Sequence, residues 1–509
     1  MITLFDAKWR HDFLASMVVF LVALPLCMGI AIASGCPPVS GLLAGIIGGL
    51  VVGTLSGCPL QVSGPAAGLT VMVFEIVNKF GLAALGPIIL VAGLFQFSFG
   101  VFKLGRIFRA VSPAVVQGML SGIGLLILAS QFHVMLDGKP KGTGLDNLLS
   151  IPSSLYHCLN QNHDMNHIAA LMGLITIAII LLWEKMPFEK LRSAIPSALI
   201  SILAVTIISV VLSLDVNKVA LPDNLFASIN FIDFSAFQKL GWNLWEEALA
   251  IALIASAETL LTANAVDRMV PGNKSNYDKE LLAQGVGNTL CGFVGALPLT
   301  GVIVRSSVNI KAGAKTRVSA ILHGCWLVLF VLCFPFLLRL IPSSALAALL
   351  VYTGYKLLNI KGVKAFASHS KSELFICLAT MGTIIFTDLL TGVITGIVLS
   401  VLKLLYVFCK LDVETSHEGN RTTLTLSGAA TFLSLPKLTA ALDRVPHDAD
   451  LHIDITNVSY IDHACFDLFN SWEEKYETQG ADLTIDWHVL HHKAKRKVDE
   501  SAVPAEASK

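Results

Sequence analysis

The chain has 509 residues, 54% of them hydrophobic and only 14% charged, with a mean hydropathy of +0.70 and no formal net charge. A soluble globular protein carries about 25% charged residues, so this composition excludes a wholly soluble chain and puts most of it in a bilayer. Zero net charge gives no electrostatic support for nucleic-acid binding.

In chain order, Lys8 and Arg10 precede the run FLASMVVFLVALPLCMGIAIASG. The run outlasts the apolar core of about 7–15 residues of a signal peptide, and more apolar runs follow, so it is expected to be the first membrane helix. A helix needs about 20 residues to cross the hydrocarbon core. Apolar runs lie near 13–34, 39–56, 62–78, 84–102, 113–133, 167–184 and 194–214. Beyond a polar stretch at 215–244, a second group follows near 245–267, 280–297, 301–313, 317–338, 343–357, 371–387 and 389–409. The third and tenth runs are short for a full crossing. Two groups of seven enter the bilayer from opposite sides, which is the inverted repeat of many secondary transporters.

The basic residues orient this arrangement. With residues 1–12 inside, the inner loops hold Lys103, Arg106 and Arg109, then Lys185, Lys190 and Arg192, then Arg268, Lys274 and Lys279, then Lys356, Lys361 and Lys364. The long outer loops, 134–166 and 215–244, hold Lys139, Lys141, Lys218 and Lys239. The asymmetry puts both termini in the cytoplasm of a multi-pass protein of the inner cell membrane. The expected domains are therefore a cytoplasmic N-terminus (1–12), a first transmembrane repeat (13–214), an extracytoplasmic loop (215–244) and a second repeat (245–410).

After Lys410 the pattern changes. NRTTLTLSGAATFL and DLHIDITNVSYID alternate like strands, LPKLTAALDRV is amphipathic, CFDLFNSWEEKYETQG reads as a helix and ADLTIDW as a last strand. Residues 411–490 are expected to form a small cytoplasmic α/β domain, and 491–509 a disordered tail. The ten cysteines form no C-x-x-C pair, and Cys27, Cys291, Cys333 and Cys377 read as small buried hydrophobes. His157, His163 and His167, and His488, His491 and His492, read as solvated polar segments rather than metal sites, and no cofactor is called for. With no GxxxxGK[ST] motif, ATP drive is unsupported.

The third and tenth runs share a design. PLQVSGPAAGLTVMV and ALPLTGVIVRSSVNI each place Pro-Leu, a hydroxyl residue and glycine ahead of an apolar stretch. Each is expected to be extended and then helical, Pro65 falling in the first helical turn, where its missing N–H is harmless. Irregular backbone at that depth is tolerated only where protein or a watered cavity receives it. Inverted halves aim the two helix N-termini at each other, and unpaired N–H groups with the positive dipole ends favour an anion. Gly64, Ala66, Ala67 and Gly301 admit an ion to the backbone, Ser63, Thr300 and Val302 flank it, and Arg305 adds a permanent charge.

Glu258 lies half-way along the eighth run, with Thr262 one turn on. A carboxylate there must pair, protonate or hold a cation. It can couple transport to H+ by titrating, hold Na+ with Thr262 and backbone carbonyls, or pair structurally with Arg305. Asp267 and Arg268 read as interfacial charges, and Glu75 as too far along its helix to touch the anion.

These residues resemble the SulP family of anion transporters. LPLCMGIAIASGCPPVSGL, SGPAAGLT, ETLLTANAVDRM with ELLAQGVGN, and RSSVNIKAGAKT match its first, third, eighth with ninth, and tenth spans, and 411–490 look like its STAS domain. The resemblance implies an α-helical membrane protein of fourteen spans in a seven-plus-seven inverted repeat, a core domain moving against a gate domain, and a homodimer. It implies substrate contacts at Ser63, the Ala66 and Ala67 amides, Thr300, Gly301 and Arg305, and a coupling carboxylate at Glu258. Leu26 and Ile30 replace the glutamine and aromatic of many members, and Arg305 differs from a sodium-coupled bicarbonate type, which lacks it. In the STAS domain, His463 stands where regulatory relatives carry a phosphorylatable serine.

The expected function is H+-linked secondary transport of bicarbonate or sulfate by alternating access, with no enzymatic chemistry. Facing helix dipoles and one arginine suit a small dicarboxylate equally. An anion channel or uniporter, and a membrane sensor signalling to a cytoplasmic protein through the STAS domain, are the readings from other classes.

Overall fold

A computed structural model of the chain describes residues 2–105, 112–141, 143–160, 167–187, 195–220, 229, 231–232, 235–270, 272, 274–408, 410–418, 421–445, 450–479 and 483–485. Arg106, Arg109, Lys190, Arg192, His163, His488, His491, His492 and the tail at 491–509 lie outside the described residues.

The membrane part begins with α1 (Ile2–Ala33) and α2 (Pro38–Ile47), which passes into a π-helical turn at Gly48–Val52. Strand β1 (Ser63–Pro65), a 3₁₀ turn (Ala67–Leu69) and α3 (Thr70–Phe80) make up the third run. Then come α4 (Leu82–Val101), α5 (Pro113–Met135), α6 (Gly144–Leu159), α7 (His167–Lys185), α8 (Ser197–Val211) and α9 (Ser235–Leu240). The second group holds α10 (Asn243–Met269), α11 (Tyr277–Phe293), β2 (Leu299–Gly301) with α12 (Ile303–Lys311), α13 (Val318–Cys333), α14 (Ser343–Leu358), α15 (Ile360–His369), α16 (Lys371–Phe386) and α17 (Leu389–Phe408).

Every apolar run thus carries a helix, and the third and tenth are strand-then-helix as their glycines and prolines suggested. Among the described residues, seven helical stretches are long and apolar enough to cross a membrane by themselves. Others fall outside that group: Pro335 breaks the eleventh run after Cys333, and α11 is less apolar, with buried Glu280, Gln284 and Asn288 along one face. Leu174, Leu182, Ile207, Val211 and Leu404 are exposed, as side chains facing lipid acyl chains should be. Cys27, Cys291 and Cys377 are buried as expected, whereas Cys333 is exposed.

Three expectations need correction. Pro65 lies in β1, and α3 starts five residues later, because the backbone stays extended to pair with β2. The polar stretch 134–166 contains α6, nucleated by a capping box between Thr143 and Asp146. The eighth helix starts at Asn243, within the expected loop.

Helices α4 and α11 meet through glycines spaced by seven residues: Gly86, Gly93 and Gly100 on one, Gly285 and Gly292 on the other. A Cβ on Gly93 would strike the backbone of Thr289, and one on Gly285 the backbone of Phe97. In lipid, where no hydrophobic force joins helices, such close contact supplies the dispersion attraction that does.

The C-terminal unit (398–509) is separate from residues 1–397 by compactness. Its sheet runs β3 (Leu411–Glu418), β4 (Arg421–Ala430), β5 (Asp450–Ile461) and β6 (Leu483–Ile485), with β3 antiparallel to β4 and the rest parallel. Helices α18 (Leu435–Leu442) and α19 (His463–Gln479) complete it around Leu424, Leu426, Ile453, Ile455 and Phe469. Asp462 accepts from the amides of Cys465 (2.9 Å) and Phe432, which caps α19. Burial pushes the Cys465 thiol up to about 11.

Gly93→Val should lower the thermal unfolding midpoint in detergent by several degrees, from about 1–3 kcal/mol of overpacking. Gly382, whose Cβ direction is open, is the control: Gly382→Val should leave the midpoint in place. Equal midpoints for the two variants would disprove the close α4–α11 contact.

Candidate functional site

The two short strands pair antiparallel, Ser63 with Gly301, Gly64 with Thr300 and Pro65 with Leu299. Two antiparallel strands, each leading into a helix, are what inverted halves produce at their crossing. The pairing continues as the Val302 amide donates to Val62 O at 2.9 Å. Side chains then fix β2 from two helices. On α11, Asn288 donates to Leu299 O (2.9 Å) and accepts from the Leu299 amide (2.7 Å). On α10, Thr259 Oγ1 accepts from the Gly301 amide (3.1 Å), and Thr262 Oγ1 donates to Gly301 O (2.9 Å). Little backbone polarity is left unpaired in the strands themselves.

What stays unpaired is the start of each helix. The 3₁₀ turn after Ala66 and α12 after Val302 lack a side-chain cap, whereas α3 runs on from that turn, its Thr70 amide donating to Ala67 O. The first amides of a helix have no intrahelical partner, and these ends border one cavity of about 890 Å³. Ala66, Ala67 and Gly68 line it on one side, and Thr300, Gly301 and Val302 on the other. Glu258, Thr262 and Arg305 also line it, as do Leu26 and Ile30 of α1.

The two charges are held differently. Arg305 is fully buried, and none of its three guanidinium nitrogens has a hydrogen-bond partner among the described residues. Its Nη1 lies against Gly64, where a Cβ would collide with it. Glu258 is half-buried, and its Oε2 accepts from Thr300 Oγ1 at 3.4 Å. The carboxylate fills the space a Cβ on Gly68 would take. Among the described residues there is no ion pair between Glu258 and Arg305. The structural-pair alternative for Glu258 is not the arrangement found.

Ser63 and Gly64 stand behind the cavity wall instead of lining it: the Ser63 hydroxyl accepts from Gln284 Nε2 at 2.7 Å, and Gly64 makes room for Arg305. Arg268, read as an interfacial charge, lines the same cavity, whereas Asp267 accepts from Ser275 Oγ (2.7 Å) and Tyr277 OH (2.9 Å). Sequence reasoning passed over Gly68, Thr259 and the α11 residues Glu280, Gln284 and Asn288. The last three are spaced by four on one helical face, a polar stripe that was readable in ELLAQGVGN. Glu75 stands apart, in a second cavity of about 280 Å³ with Lys79, Glu246, Glu247 and Asp388. Among the described residues no group of three or more His, Cys, Asp or Glu could hold a metal.

Comparison with known proteins identifies the family and the fold. Residues 9–380 match the profile of the Sulfate permease family, and residues 413–491 that of a MlaB-type STAS domain. YvdB of Bacillus subtilis (strain 168), provisionally named a sulfate transporter, is 31% identical over 401 residues, covering 77% of this chain and 73% of that protein. Bicarbonate transporter BicA of Picosynechococcus sp. is 25% identical over 400 residues, 76% and 69% of the two chains. The solved transmembrane domain of a cyanobacterial BicA superposes with a TM-score of 0.66 at 25% identity, over 76% of this chain and 97% of that one. SLC26A9 shares the fold, with a TM-score of 0.77 at 16% identity over 98% and 88%.

Gly68→Ala leaves every charge in place but should displace the Glu258 carboxylate and lower the unfolding midpoint. The double variant Gly68→Ala/Glu258→Ala removes the colliding group and should recover most of that loss. Additive losses would mean that Glu258 does not occupy the space beside Gly68.

Proposed function

The chain belongs to the Sulfate permease family, a family of transporters and not of enzymes, and from that premise we propose that it is a secondary active carrier of bicarbonate or sulfate. The observation that carries this reading is the meeting at one cavity of two uncapped helix N-termini and a fully buried arginine that has no hydrogen-bond partner among the described residues. Converging amides, dipole ends and a guanidinium form a preorganised positive site in a low-dielectric setting, where an anion's charge is felt most strongly.

The anion binds between Ala66, Ala67 and Gly68 on one strand-helix unit and Thr300, Gly301 and Val302 on the other, within the field of Arg305. Ser63 and Gly64 belong to the frame of the site. Glu258 is the coupling group, and H+ suits it better than Na+, because Arg305 already supplies the fixed positive charge that a cation would bring. Transport runs by alternating access, as symport, with both termini on the cytoplasmic side of the inner membrane and two copies forming the unit. The STAS domain offers a surface to a cytoplasmic partner. A small dicarboxylate is the second reading, favoured by the cavity's about 890 Å³, far more room than one bicarbonate fills.

The test is reconstitution in liposomes with labelled bicarbonate or sulfate under an imposed pH or Na+ gradient. Wild-type uptake should overshoot equilibrium with a pH gradient and not with a Na+ gradient. Flux that never exceeds equilibrium would establish a channel or uniporter instead, and ligand binding without flux the sensor. Arg305→Ala should weaken anion binding at least about tenfold, about 1.4 kcal/mol, measured by titration calorimetry. Glu258→Gln should abolish gradient-driven accumulation while sparing binding; an overshoot that survives in it would remove Glu258 from the coupling role.

A further inference from the structure

Glu280 lies in the first turn of α11 and is fully buried, yet no cation pairs with it among the described residues. A carboxylate in a dry interior is expensive unless hydrogen bonds satisfy its oxygens. Here both are satisfied. Oε2 accepts from Ser56 Oγ (2.6 Å) and from the amides of Gly57 (2.8 Å) and Cys58 (3.0 Å). Oε1 accepts from Gln61 Nε2 (2.8 Å) and Gln284 Nε2 (2.9 Å). A Cβ on Gly57 would strike the carbonyl of Asn276, so the segment after α2 lies directly on the first turn of α11.

The two glutamines carry this grip to the two strands. Gln284 Nε2 also donates to Ser63 Oγ at 2.7 Å, which anchors the first residue of β1. Gln61 packs against Gly301, the last residue of β2, where a Cβ would collide with its amide nitrogen. Ser63 and Gly301 are partners in the strand pair. One carboxylate therefore reaches both members of that pair from behind, without bordering the cavity in front of it.

We propose that Glu280 is a positioning residue for the anion site, setting the registration of β1 and β2 through Gln284 and Gln61. The inference rests on the anion-site reading. Ala66 lies three residues after Ser63 and Val302 one after Gly301, so a small shift of either strand reaches the amides facing the cavity. A binding constellation tolerates about 0.5 Å of such movement.

Glu280→Gln keeps the shape but sets an NH2 donor against a shell of donors, so at least one of the five contacts must open. The purified full-length variant should stay folded and monodisperse in detergent, while its Kd for bicarbonate and sulfate rises about tenfold and the ratio of the two changes. Gln284→Ala removes no charge and cuts the link to Ser63 together with one of the two hydrogen bonds to Glu280 Oε1. It should shift that ratio in the same direction, and the double variant should lose no more affinity than Glu280→Gln alone. A folded Glu280→Gln protein with wild-type Kd values would overturn the proposal, since a purely structural role lowers the unfolding midpoint and leaves affinity alone. Should Glu280→Gln fail to fold, Gln284→Ala decides, and wild-type affinity and selectivity in it overturn the proposal. If the wild-type chain binds neither anion, the anion-site reading fails and takes this one with it; wild-type binding with unaffected variants fails this one alone.

Discussion

Backbone inside a bilayer must find its hydrogen-bond partners within the protein, and everything distinctive about this fold follows from how the third and tenth runs meet that demand. Neither is helical along its length. Each leaves a three-residue extended piece in the interior, and the two pieces satisfy one another as β1 and β2. Thr259, Thr262 and Asn288 then pair what remains of β2, so the irregular backbone is enclosed rather than strained. Its consequence is two fresh helix starts where an uninterrupted helix would have offered only side chains.

Arg305 fits the same logic. A buried guanidinium with no partner is costly inside protein and membrane alike, and the chain keeps it one turn into α12 beside a glycine that leaves it room. Glu258, also without a cationic partner among the described residues, sits against Gly68. Two charges kept apart within one cavity leave both available to ligands. Paired with each other, they would have neutralised the site.

Much of this was legible beforehand because the underlying signals are local. Each apolar run marks a helix, and the Pro-Leu-hydroxyl-Gly pattern marks a break; the helices and the breaks fall where expected. The exact ends of the break were not readable: Pro65 looked like a helix start because proline tolerates that position, but pairing with a strand some 240 residues away in sequence kept it extended. Ser63 was read as a substrate contact for the same reason, since only the fold reveals that Gln284 occupies its hydroxyl. Strand β3 was missed because LDVETSHE is an edge strand with most of its face in water, and its alternation is mostly polar. Helix α6 was hidden in a polar stretch, where capping rather than apolar periodicity was the signal.

The second, acidic cavity alters how the first should be viewed. From the 3₁₀ turn into α3 the lining passes from Gly68 in the larger cavity to Val71 in the smaller, and along α5 from Ile123 to Leu126. Three residues of helix are about 4.5 Å, so only a thin septum of side chains divides them. Were each filled with water and open to its own side of the bilayer, the transmembrane voltage would drop across that septum instead of across about 30 Å of hydrocarbon. A charge moved by one helical turn would then traverse nearly the full potential, about 2.3 kcal/mol per elementary charge at 100 mV. Such field focusing would make membrane voltage a strong lever on a very small motion.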